Sequence, residues 1–227
     1  MIDVILPDLP ERTLSLPSEE TPRPAVVPAL TGRVVLGGPV SVPVTAELVG
    51  GDPELSAFLD AEAHSAVFHL LHCSVTCARD APEPELHTLN LDVTLSAEPV
   101  RDGATAFQPV AWSMTPRQRI EAAADVPFSP AARLGPRLGF LDPGRADPGE
   151  RISLEARREL RSDPGWEIRH THAVRIGGTY RLAMVVRAPR GARARAAVAV
   201  GATVRDGHTL HRFREEIADP LPLTAPR

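Results

Sequence analysis

From Ile152 to Val204 apolar and polar residues alternate in four successive runs. Period two marks a strand with one dry face and one wet face, so the runs predict four antiparallel β-strands joined by tight turns. The first run puts Ile152, Leu154, Ala156 and Leu160 on one side, with Arg158 breaking it once. Ser162-Asp163-Pro164-Gly165 reads as a turn. The second run aligns Trp166, Ile168, His170, His172 and Val174, and Gly177-Gly178 after it is a hairpin signal. The third aligns Tyr180, Leu182, Met184 and Val186; the fourth aligns Ala194, Ala196, Val198, Val200, Ala202 and Val204. The fourth strand's other face is small (Ala197, Ala199, Gly201), which predicts that this side is covered too.

Upstream, Val34 to Leu36 predicts a short strand broken by Gly37-Gly38, and a second alternation runs from Val40 to Leu48. Pro43 inside it points to a sheet edge, because proline cannot donate to a ladder. Asp52-Pro53-Glu54 carries the signals of a helix start, and the pattern through Leu55, Phe58, Leu59 and Glu62 predicts about ten helical residues. Ser65 to Ala78 is apolar almost throughout, which fits a buried strand or a continued helix. The strand is preferred, because the loop 80–85 then leads into the alternation Leu89, Leu91, Val93, Leu95 and the two form a long hairpin. Phe107 to Met114 reads as a strand, Arg117 to Asp125 as a strand or short helix, and His208 to Ile217 as a last strand or short helix. Pro127 to Gly149, with five prolines and four glycines, reads as a long loop.

Residues 1–31 hold six prolines among short apolar pieces and read as an extended arm, docked at least in part because a free linker would be more polar. The count is eight or nine strands and one helix. The expected fold class is therefore all-β: an antiparallel β-sandwich or partly open barrel with one short helix and a proline-rich N-terminal arm. Residues 32–227 form a single β-rich domain, with a possible internal division at the 127–150 loop.

Composition narrows the chemistry. The 227 residues contain 25 arginines, no lysine and one asparagine, a bias expected of a high-GC, bacterial coding sequence. Without lysine, Schiff-base and P-loop chemistry are excluded. Net charge is −4, but residues 1–150 carry 21 acids against 10 arginines, and residues 151–227 carry 8 acids against 15 arginines. Such a split either makes a dipolar molecule that associates head to tail or is neutralised where the two parts pack together. The N-terminus has no basic, apolar secretory pattern and no apolar run is long enough to span a membrane, so a cytoplasmic location is expected.

Three groups of side chains are candidate sites. His69, Cys73 and Cys77 share a face on either a strand or a helix, with His64 and His72 nearby. Imidazole and thiolate suit zinc, but the spacing lacks a Cys-x-x-Cys pair, and core cysteines are the favoured reading. His170 and His172 point the same way on a strand, toward Trp166 and Ile168, and are a second metal candidate, with a hydrogen-bonded core pair as the favoured reading. They fall short of the cupin ligand set: no Glu follows them, and Ala194 stands where the second motif's histidine would be. Arg187, Arg190, Arg193 and Arg195 gather at one turn and are candidates for phosphate or an acidic partner face, with a solvated edge as the favoured reading. No aromatics interleave with them, so nucleic acid is not expected.

No Gly-x-Ser-x-Gly elbow, His-Glu-x-x-His or glycine-rich phosphate loop occurs. The expectation is thus a non-enzymatic β-sandwich module that binds a protein partner or itself and needs no cofactor. The alternative is a metal- or small-molecule-binding β-barrel enzyme using His170 and His172.

Overall fold

The computed structural model describes residues 2–19, 30–50, 52–78, 85–99, 107–120, 131–134, 152–171 and 174–223. In chain order the elements are β1 (Ile2–Ile5), β2 (Glu11–Thr13), β3 (Val34–Val44), α1 (Pro53–Glu62), β4 (Ala66–Cys77), β5 (Leu86–Pro99), β6 (Val110–Thr115) and β7 (Gln118–Ile120). They continue with β8 (Ala131–Leu134), β9 (Ile152–Arg157), β10 (Gly165–Arg169), β11 (Gly178–Pro189), β12 (Ala192–Asp206), β13 (Thr209–Glu216) and β14 (Leu221–Pro222).

Two antiparallel sheets face each other and do not close into a barrel, so the all-β expectation resolves into a sandwich. The smaller sheet has the order β2-β3-β4-β11-β6. The larger has the order β13-β12-β5-β10-β9-β7, with β14 also paired to β12. β1 and β8 pair separately, so four residues of the predicted 127–149 loop are strand. The rest of that stretch lies outside the described residues.

Between the sheets, Leu71, Cys73, Val75 and Cys77 of β4 and Leu182, Met184 and Val186 of β11 meet Leu89, Leu91 and Val93 of β5 and Val198 and Val200 of β12. Trp166, Ile168 and Phe213 complete this core. A second core lies on the outside of the smaller sheet, where α1 sets Leu55 and Leu59 over Phe68, Leu70, Ala183 and Val185. β4 is therefore dry on both faces, which explains why its sequence is apolar without alternation. α1 matches its expected span; the Asp52 carboxylate accepts the N–H of Glu54 and Leu55 at 3.1 Å each.

Pairing departs from the sequence expectation. The runs from Ile152 to Val204 are strands, but they do not form one meander. β9 and β10 pair with each other, whereas β11 crosses to the smaller sheet and β12 returns to the larger one. The turn at Arg190-Gly191 is thus an arch between sheets, with Gly191 at φ +78° where other residues are strained. β4 and β5 likewise sit in opposite sheets and are no hairpin. The physical reason is shared: two strands facing each other across a core show the same alternation as two paired strands.

Smaller corrections follow from the same geometry. β3 runs unbroken through Gly37-Gly38, which absorb a register shift. Among the described residues its far half has no neighbour beyond it, because β2 pairs only with Val35 to Gly37, so Pro43 lies on an edge as expected. β9 stops at Arg157, and Leu160 is 59% exposed at φ +63°, not on a dry face. Glu11 to Glu19 is part of the sandwich: β2 joins the smaller sheet, while Arg214 and Glu19 bond backbone to backbone with Pro17 and Arg212 across to β13.

Candidate functional site: a polar groove on the larger sheet

The outer face of β12, β5 and β10 is the floor of an open groove of about 520 Å³. Strand register sets its floor in rows. One row runs Arg214, Gly201, Asn90, Glu167; the row beside it runs Arg212, Thr203, Thr88, Arg169. Gly201 leaves the middle empty: a Cβ there would meet nothing nearer than the Phe213 carbonyl at 3.6 Å. Of the small residues that predicted a covered face, Ala199 and Gly201 are buried and Ala197 is half-buried.

Most charges in the groove are paired. Asp92 accepts from Arg214 Nη1 at 2.9 Å and Arg158 Nη2 at 3.2 Å. Glu167 receives Arg157 and, at 2.6 Å, Arg169 Nε. That hydrogen bond raises the Arg169 pKa, and burial lowers that of His87 beside Arg205. Two groups have no side-chain partner among the described residues: the carboxamide of Asn90 on the floor and the guanidinium of Arg212 on the wall. Glu19 lines the same end without making an ion pair to Arg212. Leu210, at 45% exposure, completes the lining there.

The candidates read from the sequence fall elsewhere. His69, Cys73 and Cys77 are buried on β4. Burial pushes both thiols up to about 12 and His69 down to about 4; Cys73 Sγ lies 3.7 Å from the Leu182 carbonyl and His69 Nδ1 3.4 Å from Ser41 Oγ. His72 points to the opposite face, buried with neither ring nitrogen bonded. His170 lies just past β10, donating its N–H to the His87 carbonyl, with Nδ1 3.7 Å from Glu85; Arg175 also reaches Glu85, at 3.1 Å. His172 lies outside the described residues. Among the described residues no three His, Cys, Asp or Glu side chains are grouped so as to hold a metal.

The arginine group is divided. Arg187 faces α1, giving Nε and Nη2 to Glu62 at 3.2 and 2.8 Å and stacking 4.3 Å over Phe107. Arg190 sits at the arch, its N–H on the Ser65 carbonyl. Arg193 and Arg195 are exposed on the larger sheet. The charge split of the sequence is not a split of the molecule. Strands from both parts neighbour each other in both sheets, and acids of the first part pair with arginines of the second: Glu62 with Arg187, Asp92 with Arg158 and Arg214, Glu85 with Arg175.

Asn90 escaped the sequence reading although a signal was present. It is the chain's one asparagine, and it lies in mid-strand where asparagine is disfavoured. The chain matches no family model and no curated protein. Among the described residues no helix is long and apolar enough to cross a membrane.

Proposed function

We propose that this chain is a non-enzymatic binding module acting through protein–protein contacts, with the groove as its contact face. One observation carries the reading: the groove gathers the unpartnered Asn90 and Arg212 with a half-exposed leucine, over a floor kept open by Gly201. Arginine and an apolar anchor set among already-paired charges are the composition of a contact patch. Acid–base and nucleophilic chemistry has no comparable constellation among the described residues. The histidine alternative has His170 beside Glu85, a carboxylate already bonded to Arg175.

Native mass spectrometry of the untagged protein across concentrations tests the proposal. The expected result is metal-free protein whose self-association or partner complex is lost in Gly201→Val, a variant that fills the groove, with the circular dichroism unchanged. One metal per chain, released by His170→Ala, would overturn it in favour of the enzyme reading.

A further inference from the structure

Building on the groove as contact face, we infer that it takes an extended, acidic peptide segment of a partner protein. The charge count gives the sign. Arg157, Arg158, Arg212 and Arg214 line the groove against Glu19, Asp92 and Glu167, a surplus of one positive charge. Arg157, Arg158 and Arg214 share the two acids Asp92 and Glu167, so the surplus lies in that cluster. Arg212, with Glu19 at the same end of the groove, is the one lining arginine that no groove acid bonds among the described residues. A ligand carboxylate at Arg212 gains a charge-assisted, bidentate bond without breaking one already made.

The second unpartnered group identifies the rest of the ligand. A carboxamide has a donor and an acceptor side by side, which match the C=O and N–H of a peptide unit. Asn90 and Arg212 stand in adjacent rows of one sheet face, two strands apart across β12. Neighbouring strands are about 4.8 Å apart, so the span between them is on the order of 10 Å. That is about three residues of extended chain. One segment therefore sets a main-chain amide on Asn90 and an acidic side chain on Arg212. Gly201 lies between them and leaves room for its backbone. Thr88 and Thr203, cross-strand partners on the same floor, add hydroxyls.

The full-length ¹⁵N-labelled protein provides its own reporter. Its side-chain carboxamides are only Asn90, Gln108 and Gln118, so three NH₂ pairs appear and Asn90→Ala assigns one. The probe is acetyl-(Gly-Glu)₃-amide, with acetyl-(Gly-Gln)₃-amide and glutarate as controls. The acidic peptide is expected to move the Asn90 pair and leave Gln108 in place, with binding weakened about tenfold by Arg212→Gln and by raised salt. An unmoved Asn90 pair, equal binding of the glutamine peptide, or an affinity unchanged in Arg212→Gln overturns the inference. Glutarate binding as well as the peptide would also overturn it, by making the site one for a free carboxylate. If Gly201→Val abolishes association while Arg212→Gln leaves it intact, the contact face stands and the acidic-peptide inference alone falls.

Discussion

Glu215 on β13 accepts the backbone N–H of Ser15 at 2.6 Å, and the same carboxylate oxygen accepts that of Leu16 at 3.1 Å. Its other oxygen meets Arg12 at 3.2 Å. One side chain of the larger sheet thereby fastens the segment whose β2 belongs to the smaller sheet. The segment closes one side of the sandwich and buries Leu14 and Leu16 completely.

Glu215→Ala should loosen this closure. Leu16 is buried, so its N–H loses a charged acceptor with no water in exchange, at a cost of about 1–3 kcal/mol. Urea unfolding measures the loss, and limited proteolysis near residues 11–19 locates it. Glu215→Gln keeps an acceptor oxygen and should lose less.

Arg187 ties α1 to the smaller sheet through two hydrogen bonds to Glu62 and a stack on Phe107. Arg187→Lys keeps the charge but lacks the planar fork, and should destabilise by about 1–2 kcal/mol. Equal stability of the Arg187→Lys variant and the native protein in thermal unfolding would show that the charge alone matters.

His69 and His72 are buried neutral, each with a pKa lowered from the ordinary 6.5 to about 4; burial is the main cause, with the Arg181 charge adding to it at His72. The unfolded chain binds these protons first as pH falls. Their contribution is thus complete above about pH 6.5 and is lost progressively toward pH 4, by up to about 3 kcal/mol for each histidine. Denaturation midpoints at pH 7, 5.5 and 4.5 trace the slope. Because neither nitrogen of His72 is bonded, His72→Leu should flatten that slope and stabilise the protein at pH 7 by about 1 kcal/mol. A variant less stable than native at pH 7 would contradict this account.

Cys73 and Cys77, buried and with thiols raised to about 12, should resist iodoacetamide in the folded protein and react fully in denaturant. Four residues apart on one strand, their Cα atoms are separated by roughly 13 Å, too far for a disulfide. Rapid labelling of native protein at pH 7.5 would show that β4 opens readily.

The sequence by itself determined the strands, and their dry faces, where apolar and polar residues alternate cleanly. Alternation did this for Tyr180 to Val186 and Ala194 to Val204, and Asp52-Pro53 did it for α1, because side-chain direction and capping are local properties of the backbone. The tertiary structure alone decided the partners. It sent β11 to the smaller sheet and β12 to the larger, since a period-two pattern records that a strand faces a core but not which edge it bonds. The same holds for the site. Asn90 and Gly201 stand 111 positions apart in sequence, and they become a groove only when hydrogen bonds between β5 and β12 place them side by side.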